Sequence, residues 1–232
     1  MKLVIFDIDG TLTNTYKIDE DCFVNALKSE LKISDINRNW AEYTHVTDSG
    51  ITQQIFIEKL GRIPSNEEVA RIKIRFVNLL QEACNHNQDL FSEISGSANL
   101  LANLCLTRDW CVAIATGGWR ESAELKLQKA NLKIESIPLA SADDGISRTD
   151  IVNTAIVKAK NIYKIDNFKK IVFVGDGTWD VKVAYQLSIA MIGIGSGKVA
   201  QTLLNVGATK VIKDFTDLNY FIKILETATI PK

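Results

Sequence analysis

The chain lacks the features that would place it in several large functional classes. Its four cysteines, Cys22, Cys84, Cys105 and Cys111, show no CxxC spacing, and neither His45 nor His86 completes a zinc-finger pattern with them. They read as free thiols in a reducing compartment. There is no excess of positive charge: 27 Lys and Arg face 28 Asp and Glu. A nucleic-acid or anionic-membrane partner is therefore not expected. No stretch approaches the roughly 20 apolar residues that a membrane helix needs. The N-terminal apolar run Leu3–Phe6 is too short for a secretory leader and ends in an acid. Repeats and low-complexity segments are also missing. What remains is the expectation of a cytoplasmic globular protein, a monomer or weak homodimer, acting on a small molecule.

The 232 residues suffice for one large domain or for a core with a satellite. Short apolar, β-branched runs occur at Leu3–Phe6, Cys111–Ala115, Ile137–Leu139, Ile171–Val174, Ala190–Ile194 and Lys210–Ile212. They read as strands buried on both faces. Helical patterns separate most of them, at Glu121–Ala130, Ile151–Asn161, Asp180–Leu187, Val199–Val206 and Asp217–Leu225. Strand alternating with helix predicts an α/β fold with a Rossmann-like, doubly wound parallel sheet.

Between about residues 15 and 90 only helical patterns occur. Phe23, Leu27 and Leu31 share one stripe; Ile55, Phe56 and Leu60 share another. After Pro64, Ser65 and Glu68 form a capping-box pattern ahead of Val69, Ile72, Phe76, Leu79 and Leu80. The expected organisation is a core of residues 1–14 and 91–232 with an all-helical cap at 15–90.

In open α/β sheets, ligands bind beyond the carboxyl ends of the strands. The residues there are Asp7-Ile8-Asp9-Gly10-Thr11 after the first strand, Thr116-Gly117-Gly118 after the second, and Gly175-Asp176-Gly177-Thr178-Trp179-Asp180 after the fourth. Several carboxylates in one cleft repel each other unless a cation holds them. Oxygen ligands without a Cys or His cluster point to Mg²⁺. Alternatively each Asp is a turn or capping residue; for Asp180 that reading stands beside the functional one. Two acids at the end of one apolar strand exceed what a turn requires.

The run Asp7-Ile8-Asp9-Gly10-Thr11 resembles the first motif of the haloacid dehalogenase superfamily in its phosphatase form, DxDGT. Thr116 resembles the second motif, and Gly175–Asp180 the fourth, GDxxxD. Arg148, ahead of Ile151, occupies the place of the third, a lone basic residue commonly lysine; Lys158 is the competing candidate. The layout is similar to phosphoglycolate phosphatase-like members with a helical cap.

The resemblance implies roles. Asp7 is the nucleophile and Asp9 the general acid and base. Mg²⁺ is held by the Asp7 carboxylate, the Asp9 carbonyl and Asp176, with Asp180 orienting that site. Thr116, Gly117 and Arg148 bind phosphate, although Thr116 also reads as a simple helix cap. The second Asp of the motif argues against dehalogenation, which needs no acid for an alcohol leaving group. Hydrolysis of a small phosphate monoester is the leading expectation. A phosphomutase of the β-phosphoglucomutase type and a non-catalytic phosphate-binding module are the alternatives. Within the cap, His45–Gly50 is a polar break between helices, so Thr47 and Asp48 are candidate specificity residues; a plain inter-helix turn is the competing reading.

Overall fold

A computed structural model describes residues Met1–Lys232. Six parallel strands form one sheet in the order β3-β2-β1-β4-β5-β6. They are β1 (Lys2–Phe6), β2 (Trp110–Ala115), β3 (Leu139–Ala140), β4 (Ile171–Gly175), β5 (Ala190–Ile194) and β6 (Val211–Ile212). The order reverses at β1, which lies between β2 and β4, so the switch point of the doubly wound sheet is where the first acidic motif leaves the sheet.

The strands alternate between two cores. Leu3, Ile5, Ala113 and Phe173 enter one, and Val4, Phe6, Val112, Ile114, Val172 and Val174 enter the other. The second core is closed by helices α4 (Ser97–Leu106) and α9 (Leu218–Thr227), through Leu100, Leu104, Phe221 and Leu225. The first core runs on without a break into the helical segment, through Phe23, Trp40, Phe56, Phe76 and Trp119.

That segment contains α1 (Tyr16–Leu31), α2 (Asp48–Leu60) and α3 (Asn66–His86), with short 3₁₀ turns at Trp40–Glu42 and Gln88–Phe91 and no sheet strand. The Ser65/Glu68 capping box opens α3, and Ile72, Phe76 and Leu80 form its buried stripe. Leu60, expected on a buried stripe, is exposed, because it ends α2 at the surface before the left-handed Gly61. Helix α4 carries no sequence signal at its start: its N-cap is Gly96 at φ 88, with no side-chain cap. Strand β3 is shorter and later than expected. Pro138 offers only its carbonyl, taken by the Ile114 N–H at 2.8 Å, and has no N–H for the ladder.

Four helices pack around the remaining strands: α5 (Arg120–Lys129), α6 (Arg148–Tyr163), α7 (Thr178–Gln186) and α8 (Gly197–Asn205). No helix is long and apolar enough to cross a membrane.

Candidate active site

Register brings the three acidic or hydroxylated strand ends together. Phe6 pairs with Ile114 on one side and Val174 on the other. Asp7, Thr116 and Asp176 therefore emerge side by side, and the Asp7 N–H donates to the Val174 carbonyl at 2.9 Å. Gly10, at φ +80, turns the chain back; a Cβ there would overlap the Asp176 carboxylate.

Carboxylate oxygens of Asp7, Asp176 and Asp180 all lie within 4.8 Å of one another. Burial, with Asp180 and Asp9 adding repulsion against the pull of Arg148, raises Asp7 from 3.8 to about 7. Burial and the neighbouring Asp7 and Asp180 also raise Asp176. Asp176 Oδ1 is buried and has no hydrogen-bond partner. An orphan carboxylate oxygen in an all-oxygen cluster fits a hard divalent cation such as Mg²⁺. Asp180 differs from the other two. Its Oδ1 takes Arg148 Nη1–H at 3.0 Å and its Oδ2 takes the Gly177 N–H at 2.9 Å, so it both pins the first turn of α7 and holds the Arg148 guanidinium.

Arg148 is the first residue of α6, after the Ser147 cap. Its Nη1 reaches Asp7 Oδ1 at 3.2 Å, its Nε donates to the Val46 carbonyl at 2.9 Å, and its guanidinium lies 5.7 Å from the centre of the Trp179 ring. Lys158 lies elsewhere, on Asp144 Oδ1 at 2.7 Å and the Leu139 carbonyl at 3.0 Å. Thr116 is not a helix cap, since Trp119 holds that position for α5. Thr116 Oγ1 accepts the Gly118 N–H at 3.1 Å, while the Gly117 N–H makes no hydrogen bond within the chain. A Cβ on Gly117 would sit 2.7 Å from Arg148 Nη2 and 2.9 Å from the Val46 carbonyl, so glycine is what lets the cap loop and the arginine close over this turn.

Asp7, Asp9, Thr116, Gly117 and Arg148 line a cavity of about 70 Å³ whose far wall comes from the helical segment: Tyr16, Asp19, Glu20, Phe23, Trp40 and the Val46–Asp48 loop. That loop is docked on the core. Thr47 Oγ1 donates to the Ile146 carbonyl at 2.7 Å and accepts the Gly50 N–H at 3.0 Å. The Asp48 N–H donates to the Gly117 carbonyl at 2.8 Å, and Asp48 Oδ2 accepts the Trp119 N–H at 2.8 Å. Thr47 thus caps α2 and reaches the core at once. Asp48 stands beside the pocket with its carboxyl raised by burial and by Asp19. Trp179 lines the pocket, whereas Trp119 is buried and donates through Nε1 to Ser49 Oγ at 2.8 Å.

Sequence reading missed Lys126 and Asp19. Lys126 Nζ is fully buried, 2.5 Å from Asp9 Oδ2, and also bonded to Asp19 Oδ1. Thr15 Oγ1 occupies the other Asp9 oxygen at 2.5 Å. A signal existed: Trp119, Ala123, Lys126 and Ala130 follow helical spacing, which puts a lysine in a core position of α5. Its charge hides it, because lysine usually marks a solvated face.

Solved structures share this architecture. A hydrolase from Pseudomonas syringae aligns with a TM-score of 0.72 at 22% identity, covering 97% of this chain and 99% of that one. A candidate β-phosphoglucomutase from Bacteroides vulgatus aligns at 0.68 and 15% identity, covering 98% and 89%. A predicted phosphoglycolate phosphatase from Haemophilus somnus aligns at 0.59 and 17% identity, covering 96% and 98%. No curated protein sequence matches. The family model for haloacid dehalogenase-like hydrolases matches residues 1–186. The chain belongs to that family, and its class is hydrolase.

Proposed function

We propose that this hydrolase is a Mg²⁺-dependent phosphatase that cleaves a small phosphate monoester through an aspartyl-phosphate on Asp7. The observation that supports it most is the arrangement around Asp7: a buried carboxylate with Arg148 at 3.2 Å and the unpartnered Asp176 oxygen beside it. Such a carboxylate can act as a covalent phosphoryl acceptor. Asp7, Asp176 and the Asp9 carbonyl would hold Mg²⁺, which when bound offsets the repulsion between Asp7 and the phosphate and stabilises the charge on the transferring group.

An Asp7 oxygen attacks phosphorus, and the bond to the leaving oxygen breaks. That oxygen takes its electron pair and a proton from Asp9. Asp9 then removes a proton from water as the water oxygen attacks phosphorus and the Asp7–phosphorus bond breaks. Arg148, the Thr116 hydroxyl and the free Gly117 N–H serve the phosphate oxygens. The docked Val46–Asp48 loop keeps bulk water out and, through Thr47 and Asp48, touches the leaving group.

The pocket wall also supports hydrolysis over phosphate transfer between positions of a bisphosphate. Arg148 is the only cationic side chain lining it, while Asp19, Glu20 and Asp48 line the wall supplied by the helical segment. A second phosphate or a carboxylate there would be desolvated among acids without a partner. The leaving group is therefore an uncharged or cationic alcohol rather than an anionic one. Cytoplasmic location fits the free cysteines.

A panel of phosphorylated metabolites assayed with Mg²⁺ and with EDTA tests the reading. Mg²⁺-dependent phosphate release is expected, strongest for polyol or amino-alcohol monophosphates, and abolished in Asp7→Asn. Substantial turnover by Asp7→Asn refutes the covalent step. A requirement for a bisphosphate activator restores the mutase.

A further inference from the structure

We propose that Lys126 is a positioning residue for the general acid and base, holding the Asp9 carboxylate in place, with Asp19 as the second anchor of its ammonium. The inference rests on the phosphatase reading and adds a residue to it. Lys126 does not line the pocket, and its ammonium makes no hydrogen bond to Thr116, Gly117, Arg148 or the cluster of Asp7, Asp176 and Asp180. Its only charged partners are Asp9 and Asp19.

A fully buried ammonium is costly unless it is paired, and two of this one's three protons are placed, on Asp9 Oδ2 and Asp19 Oδ1. The two carboxylates beside it supply the counter-charge that a buried ammonium needs. Between Lys126 Nζ and Thr15 Oγ1, each at 2.5 Å, both Asp9 oxygens are engaged. The carboxylate is thereby confined in rotation as well as position. One donor on each oxygen leaves each a second lone pair for the proton that Asp9 gives to the leaving oxygen and later takes from water; a group used this way gains from confinement, and a displacement of about 1 Å can cost on the order of 10²-fold in rate.

The three partners come from different parts of the chain. Asp9 follows β1, Lys126 is on α5 of the core, and Asp19 is in the first turn of α1, where the cap begins. The hydrogen bonds of the Val46–Asp48 loop to residues 117, 119 and 146 belong to the same docked arrangement.

The test is a mutant cycle on the full chain with Mg²⁺, using phenyl phosphate and p-nitrophenyl phosphate as probes in single-turnover assays. The two share a shape but differ in how much the leaving oxygen needs a proton. Lys126→Met should slow the first step on phenyl phosphate about 10²-fold, and on p-nitrophenyl phosphate less than tenfold. In an Asp9→Asn background the same substitution should change the rate by less than about twofold, since a residue acting through Asp9 has nothing further to lose. The thermal shift on adding Mg²⁺ with beryllium fluoride should persist in Lys126→Met, because the Asp7 side of the site is untouched. If Lys126→Met melts below the assay temperature, Lys126→Met/Asp19→Asn, which removes an acid along with the cation, carries the same comparison. Equal losses on both probes, additivity with Asp9→Asn, or disappearance of the beryllium fluoride shift overturns the assignment. A wild-type chain inactive on both probes instead overturns the phosphatase reading beneath it.

Discussion

Replacing Arg148 with methionine removes one cation of similar length and leaves its partners in place. Its Nη1 bridges Asp7 Oδ1 at 3.2 Å and Asp180 Oδ1 at 3.0 Å, and its Nε holds the Val46 carbonyl at 2.9 Å. The side chain is 13% exposed, so water cannot replace these bonds fully. Breaking a buried pair by removing one partner costs about 3–5 kcal/mol. Here the stranded acids can take up protons, which limits the loss, so a fall of about 5–10 °C in melting temperature is expected at pH 7.5 for a chain of this length. The deficit should shrink at pH 5. Without the guanidinium the folded-state carboxylates bind protons still more tightly than the unfolded chain does, and lower pH favours the folded variant.

The rate carries a separate consequence. A preorganised donor aimed at developing phosphoryl charge is worth about 10²–10³-fold. Phosphate release by Arg148→Met should fall by that factor, with Arg148→Lys between it and wild type: a lysine supplies the charge but cannot span Asp7, Asp180 and Val46 together. Lys158→Met is the control. Its ammonium serves Asp144 and the Leu139 carbonyl, so activity should stay within about twofold. If Arg148→Met keeps its rate within tenfold while Lys158→Met collapses, the phosphate-binding cation has been misassigned.

Two further outcomes follow from the site. Asp7 and Asp19 are pushed from 3.8 to about 7, mainly by burial. The folded metal-free chain therefore holds these protons more tightly than the unfolded one, and its stability should fall as pH rises from about 4 to about 7. Mg²⁺ bound at the proposed site would compete with protons, so its thermal shift should be larger at pH 8 than at pH 5 by differential scanning fluorimetry; equal shifts would contradict a carboxylate site. Thr47→Ala and Asp48→Asn should separate a capping role from a selecting one. The first loses the cap of α2, about 1 kcal/mol, and melts a few degrees lower. The second should reorder the metabolite panel while leaving p-nitrophenyl phosphate nearly unaffected; an unchanged order would remove Asp48 from substrate choice.

The sequence alone determined the parts of this protein that are local. Apolar runs ending in acids mark β1 and β4, and one ending in Thr116-Gly117-Gly118 marks β2, because a strand buried on both faces has little room for polar residues until it leaves the sheet. The capping box at Ser65 and the helical stripes of α1 and α3 are equally local, and so is the resemblance carried by Asp7-Ile8-Asp9-Gly10-Thr11. Helix α4 escaped because its glycine cap leaves no side-chain mark. Tertiary structure decided what depends on distance across the chain. Arg148 and Lys158 are ten residues apart on one helix, and only folding shows which of them meets Asp7. Thr47 and Asp48 face the core because residues about 70 to 100 positions away supply their partners. Lys126 is the sharpest case. A lysine in a helix is assigned to water by default, and its burial is tolerable only because Asp9 and Asp19, more than 100 residues earlier, converge on its ammonium. Periodicity can place a side chain on an inward face, but the counter-charges that permit a cation there are supplied by long-range packing.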